Sequence, residues 1–201
     1  ALVPKGQADP TGIEGIMVVH TPIESFVSLS TTYLPFLEQI DALSSLVAVD
    51  SGAYIYNPDV QTWLQAGAVA EVGSGAVINV ERLVDLNPDL IMTSASGFAE
   101  YDSHPQLLEA GLKVVINSDY LEQNPLGRAE WGKFIAAFFD KEAEAARLFD
   151  EMVVRYEEAK TAASLSATRF TVFTNTAYEG TWYMPGGESY IANLLADAGA
   201  D

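Results

Sequence analysis

Nine side chains in this sequence are of types that grip a ligand without reacting with it. Thr32, Tyr33, Tyr54, Tyr56, Phe98, Tyr101, Tyr178, Trp182 and Tyr183 each fall in or beside a stretch that follows a β-prone run. An open sheet of parallel strands holds its ligand outside the carboxyl ends of the strands. Aromatic rings placed there line apolar pockets or stack on flat ligands, and hydroxyl groups add polar contacts. Loop aromatics can equally fold back onto a core, and spacing alone leaves both readings open.

Residues able to do covalent or metal chemistry are sparse. There is no cysteine, which removes disulfides, thiol nucleophiles and Cys-ligated metals together. The two histidines, His20 and His104, stand far apart in elements of different type, so no histidine-rich metal cage is expected. Gly73-Ser74-Gly75 lacks both the lysine of a phosphate loop and the third glycine of a dinucleotide fingerprint, and reads as a turn. Ser189 lacks the Gly-x-Ser-x-Gly elbow, and no histidine follows it. With no convergent acid–base or nucleophilic set, the chain is not expected to be an enzyme, nor to carry a cofactor. Its 28 acidic residues outweigh 10 basic ones, a net charge of −18. That argues against nucleic acid and anionic membrane surfaces as partners, since both need clustered Lys and Arg.

The elements that must position the aromatic set alternate in period. Residues 16–19 and 26–29 are β-prone with Pro22 between them, which suggests a hairpin or an edge connection. Thr31 or Thr32 caps a helix that carries Tyr33, Leu34, Leu37 and Ile40 on one face. Strands are expected at 46–49, 69–72, 89–93 and 113–116. Helices are expected at 59–66, from the Asn79 cap to Leu86, and at 104–110 before Gly111. Strands alternating with helices across short loops predict a parallel sheet. From Trp131 onward apolar residues recur at three- and four-residue steps, and neither Gly nor Pro interrupts 133–160, which predicts one long spine helix over 126–163. A new strand is expected at 169–175, an extended piece at 181–184 and a helix carrying Tyr190, Ile191, Leu194 and Leu195. The fold class expected is therefore α/β: two Rossmann-like lobes with parallel sheets joined by one long α-helix. The lobes are 1–122 and 168–201, the second incomplete, with apolar faces left exposed and self-association expected.

The run Asn79-Val80-Glu81-Arg82-Leu83-Val84-Asp85-Leu86-Asn87-Pro88-Asp89-Leu90-Ile91 resembles a stretch of the periplasmic-type substrate-binding proteins that serve ABC importers of iron–siderophore, haem and cobalamin. Segments 27–30, 127–134 and 185–190 resemble the same family in the same order, so the resemblance covers residues 16–201. It implies two α/β lobes bridged by a long helix and an extracytoplasmic receptor. Such a receptor takes up a small-molecule ligand, an iron chelate, haem or corrinoid, in an interlobe cleft and passes it to ABC permease subunits. It also implies a docking role for Glu81, which occupies the position of a family glutamate that pairs with permease arginines. A small oxyanion or metal ion as ligand, or a sensor domain on the same fold, are the alternatives.

Overall fold

The structure is a computed structural model that describes residues 1–12, 14–98 and 100–200. Two compact units are present. Ala1–Ser118 and Lys133–Ala145 form the first, and Asp119–Gly132 with the chain from Ala146 onward forms the second.

In the first unit, β1 (Leu2–Pro4) pairs in parallel with β2 (Val19–Thr21). The expected hairpin around Pro22 is therefore absent, and the leader supplies a strand whose Val3 is buried. The main sheet has five parallel strands: β3 (Phe26–Ser28), β4 (Leu46–Val49), β5 (Ala70–Glu71), β6 (Leu90–Thr93) and β7 (Val114–Ile116). Their order is β5-β4-β3-β6-β7. Alternation along the strands fills both faces, as a parallel sheet covered on both sides requires. Val27, Ala48, Ala70, Ile91 and Val114 pack with Leu83 and Leu107 on one side. Phe26 meets Phe139 edge-on, ring centres 5.8 Å apart.

Helices α1 (Leu34–Gln39), α2 (Pro58–Gln65), α3 (Val80–Leu86) and α4 (His104–Glu109) connect the strands. Asn79 caps α3 as its type predicts, its Oδ1 accepting from the Arg82 amide at 2.9 Å. The cap of the turn before α1 is Ser30 rather than Thr31 or Thr32. The face expected of α1 is the buried one, with Leu37 fully inside.

The single rod expected over 126–163 does not form. Helix α5 (Pro125–Ala136) runs into a 3-10 turn, Ala137–Phe139, and Asp140 takes the left-handed conformation at φ 54° before α6 (Glu142–Ser164) begins. The Lys141 amide closes this stop on the Ala136 carbonyl at 3.1 Å. The break has a packing cause: Ile135, Phe138 and Phe139 are buried with the first unit, so 133–145 belongs to it rather than to a free spine. The 23 residues of α6 still span about 34 Å at the helical rise of ~1.5 Å per residue.

In the second unit, 169–175 forms no strand. Instead β8 (Ala177–Tyr178) and β9 (Thr181–Trp182) make a short antiparallel hairpin. Helix α7 (Tyr190–Asp197), capped by Ser189, lies against α6 through the Asp197 carboxylate. That group accepts from the Tyr156 hydroxyl at 2.7 Å and pairs with Lys160 at 2.9 Å. Burial, then the bond to Asp197, pushes the Tyr156 phenol up to about 12. Much of this unit's apolar surface is exposed, including Leu165, Phe170, Phe173 and Met184.

Candidate functional site

Because the five strands run parallel, their carboxyl-terminal loops share one edge. The chain winds outward from β3 through β4 to β5, then crosses back to lay β6 on the other side of β3. Strand order reverses between β3 and β6, and at such a switch point the two following loops diverge and open a crevice. The loop after β3 carries Thr31 and Thr32. The loop after β6 carries Phe98 and Tyr101.

The loop after β4 is built to display two rings. Ile55 is buried, while its neighbours Tyr54 and Tyr56 are 74% and 88% exposed. The Gln61 side-chain amide donates to the Gly52 carbonyl at 3.0 Å and to the Ile55 carbonyl at 2.7 Å, tying the loop to α2. Asn57 then caps α2 through the Asp59 and Val60 amides. Tyr54 and Tyr56 line a groove of about 530 Å³ together with Thr31, Leu34, Glu38 and Asn57.

The loop after β6 is tied differently. Asp102 accepts from the Ser96 amide at 2.6 Å, the Ser96 hydroxyl at 2.8 Å and the Gly97 amide at 2.9 Å. Led by the Ser96 amide, these bonds hold the Asp102 carboxyl below its ordinary value of 3.8. Phe98 and Tyr101, both exposed, meet edge to face with ring centres 6.4 Å apart. The turn containing Gly73-Ser74-Gly75 backs this loop. At Gly75 (φ +55°) a Cβ would lie 2.9 Å from the Glu100 carbonyl oxygen, and the Gly75 carbonyl accepts from the Gln106 side chain at 2.8 Å. A residue with φ in this range and no room for Cβ must be glycine.

Thr32, Tyr54, Tyr56, Phe98 and Tyr101 thus stand on the loops of one edge. Tyr33 does not join them as an open surface. It is 1% exposed, because the turn after Ser30 rotates its ring inward with Leu34 and Leu37, so it packs the core. Tyr178, Trp182 and Tyr183 are exposed in the second unit, on and just after the β8–β9 hairpin rather than at the end of a parallel strand. Trp182 is fixed by its indole N–H bond to the Thr174 carbonyl at 3.1 Å and an edge contact with Phe173. Glu81 is exposed in the first turn of α3. Among the described residues no three His, Asp or Glu side chains converge as a metal cage, and no helix is long and apolar enough to cross a membrane.

Acidic side chains of the same edge were not singled out by residue type. Burial pushes the Asp50 carboxyl up, with the Glu71 charge adding to it. Asp50 stands in a recognisable turn after β4. Glu71 acts on Gly52, 19 positions away, and Asp102 closes its own loop on Ser96 and Gly97, six and five positions back, so no short motif announces either.

Residues 26–201 match the family described as Periplasmic binding protein, and the chain belongs to that family. An uncharacterised lipoprotein of Methanocaldococcus jannaschii is 28% identical over 195 residues, 90% of this chain and 45% of the relative. The chain spans about half the length of the curated relatives it matches. A possible iron-binding, periplasmic solute-binding protein of Staphylococcus epidermidis shares the fold with a TM-score of 0.70 at 19% identity, over 90% of this chain and 67% of that one. The periplasmic vitamin B12 binding protein of Vibrio cholerae does so with a TM-score of 0.65 at 15% identity, over 90% and 66%.

Proposed function

We propose that this chain is the ligand-capturing part of an extracytoplasmic receptor for an ABC-type importer, and that its ligand is an iron chelate, haem or a corrinoid. One observation carries the reading: Tyr54, Tyr56, Phe98 and Tyr101 are exposed on loops at the carboxyl edge of a parallel sheet, two of them on the loop that flanks its switch point. Large apolar rings held out on loops tied by side-chain hydrogen bonds suit a bulky ligand with flat or apolar faces better than a bare ion. Tyr178, Trp182 and Tyr183 remain candidates on the same chemical grounds. The chain's place in a family of binding proteins supports capture without conversion of the ligand, and the lipoprotein relative supports a location outside the cytoplasmic membrane.

Glu81 is the proposed contact to the permease. Its carboxylate sits in the first turn of α3, exposed and favoured by the helix dipole. A thermal-shift panel of ferric siderophores, haem, cobalamin and phosphate tests the reading, since a ligand that binds only the native state raises Tm by mass action. A rise with at least one chelate, haem or corrinoid is expected, unchanged in Glu81→Ala while uptake through the permease falls. No rise with any of these three classes would contradict it.

A further inference from the structure

Several amide donors on the loops of the carboxyl edge are already taken by acceptors of the protein itself. The Ser51 amide bonds Asp50 at 2.8 Å, and the Gly52 amide bonds Glu71. The Ser96 and Gly97 amides bond Asp102, and the Thr32 amide bonds the Ser30 hydroxyl at 3.3 Å. Backbone N–H groups in turns and at helix starts are the usual seats for phosphate, sulfate and carboxylate ligands. At these five amides the protein's own acceptors fill the seat, and three of the four acceptors are carboxylates.

Side-chain charge points the same way. Loop residues 29–33, 50–57, 72–79 and 94–103 contain no Lys and no Arg, but include Asp50, Glu100 and Asp102. Glu71 ends β5 beside them, and exposed Glu38 lines the tyrosine groove. The basic residues of this unit lie elsewhere in the chain. Lys5 pairs with Glu24, Lys113 precedes β7 at its amino end, and Lys133 and Lys141 belong to the α5–α6 region. Arg82 comes nearest in sequence, on the first turn of α3 next to Glu81.

We propose that this edge selects its ligand by charge, accepting neutral or cationic complexes with apolar faces and rejecting polyanionic ones such as catecholate chelates, polycarboxylate chelates and free oxyanions. The proposal rests on the receptor reading and narrows it. Exposed tyrosyl and phenylalanyl faces attract cations and tolerate neutral apolar surface. The carboxylates Glu38 and Glu100 repel an anion, and no Lys or Arg on these loops offsets the loss of its hydration.

The test is a set of binding titrations on this chain at low and moderate salt. The probes are ferrioxamine B (a singly cationic ferric trihydroxamate), cyanocobalamin (neutral), a triply anionic ferric tricatecholate, and inorganic phosphate. The cationic or the neutral probe should bind at least about tenfold more tightly than the tricatecholate, with phosphate showing no saturation, and added salt should shrink the difference. Glu38→Gln combined with Glu100→Gln should move the cation-to-anion ratio several-fold toward the anion. Tighter or equal binding of the tricatecholate or phosphate overturns the charge selection and leaves the receptor reading standing. An unmoved ratio in the double variant also overturns it. Binding of none of the probes removes the receptor reading for these classes and the selection with it.

Discussion

Asp102 illustrates how one side chain can govern the loop that presents the candidate rings Phe98 and Tyr101. Its two oxygens take three hydrogen bonds from Ser96 and Gly97, and the stretch they close presents Phe98 and Tyr101. These bonds need the ionised carboxylate, which is why its pKa is held below 3.8. A folded-state pKa lowered in this way stabilises the loop fully above the unfolded value and stops doing so as pH falls through the folded one. The Ser96 and Gly97 amide resonances should therefore hold steady from neutral pH down to about pH 4 and shift only below it. A transition centred above pH 5 in an NMR titration would show that the carboxylate does not hold the loop. Tyr33 carries the opposite lesson. Its type suits a ligand surface and its position suits a helix face, and the second decides, because the turn that Ser30 caps points the ring inward.

At the scale of elements, the turn containing Gly73-Ser74-Gly75 and the loop after β6 form one assembly. Gly75→Ala should push on the Glu100 carbonyl and strain φ at once, costing on the order of 1–3 kcal/mol in urea unfolding and weakening ligand binding. Gly97→Ala is the control: its φ is also positive, at +83°, but a Cβ there meets open space, so strain alone should cost about 1 kcal/mol. Equal costs at the two sites would mean that the close approach at Gly75 is not constraining. Most of the first unit's elements were legible, since Asn79, Pro88 and Gly111 punctuate them and each strand is a short apolar run. The order of the sheet was not, because every parallel strand looks alike from its own sequence and only tertiary packing sends β6 back across β3. The stop at Asp140 was also silent. Neither Gly nor Pro marks it, and burying Phe138 and Phe139 beneath the sheet overrides an otherwise unbroken helical pattern. The β1–β2 pair was hidden for a related reason, as a three-residue strand within a polar leader has too few positions to show a period.

For the molecule as a whole, membership of the periplasmic binding protein family and a first unit with a parallel sheet agree with the fold class read from the alternating elements. The two units differ in kind. The first buries both faces of its sheet, whereas α7 in the second has no buried side chain and the β8–β9 hairpin is exposed throughout. Ligand capture is accordingly proposed first for the carboxyl-edge loops of the first unit. Hydrogen exchange read by mass spectrometry, with and without saturating ferrioxamine B, cyanocobalamin or haem in turn, tests that assignment most directly. With at least one of the three, amides in 29–33, 50–57 and 94–103 should gain protection while α2 and α4 stay unchanged. Protection confined to other segments, or none with any of the three, would contradict the claim that this edge is where the protein holds its ligand.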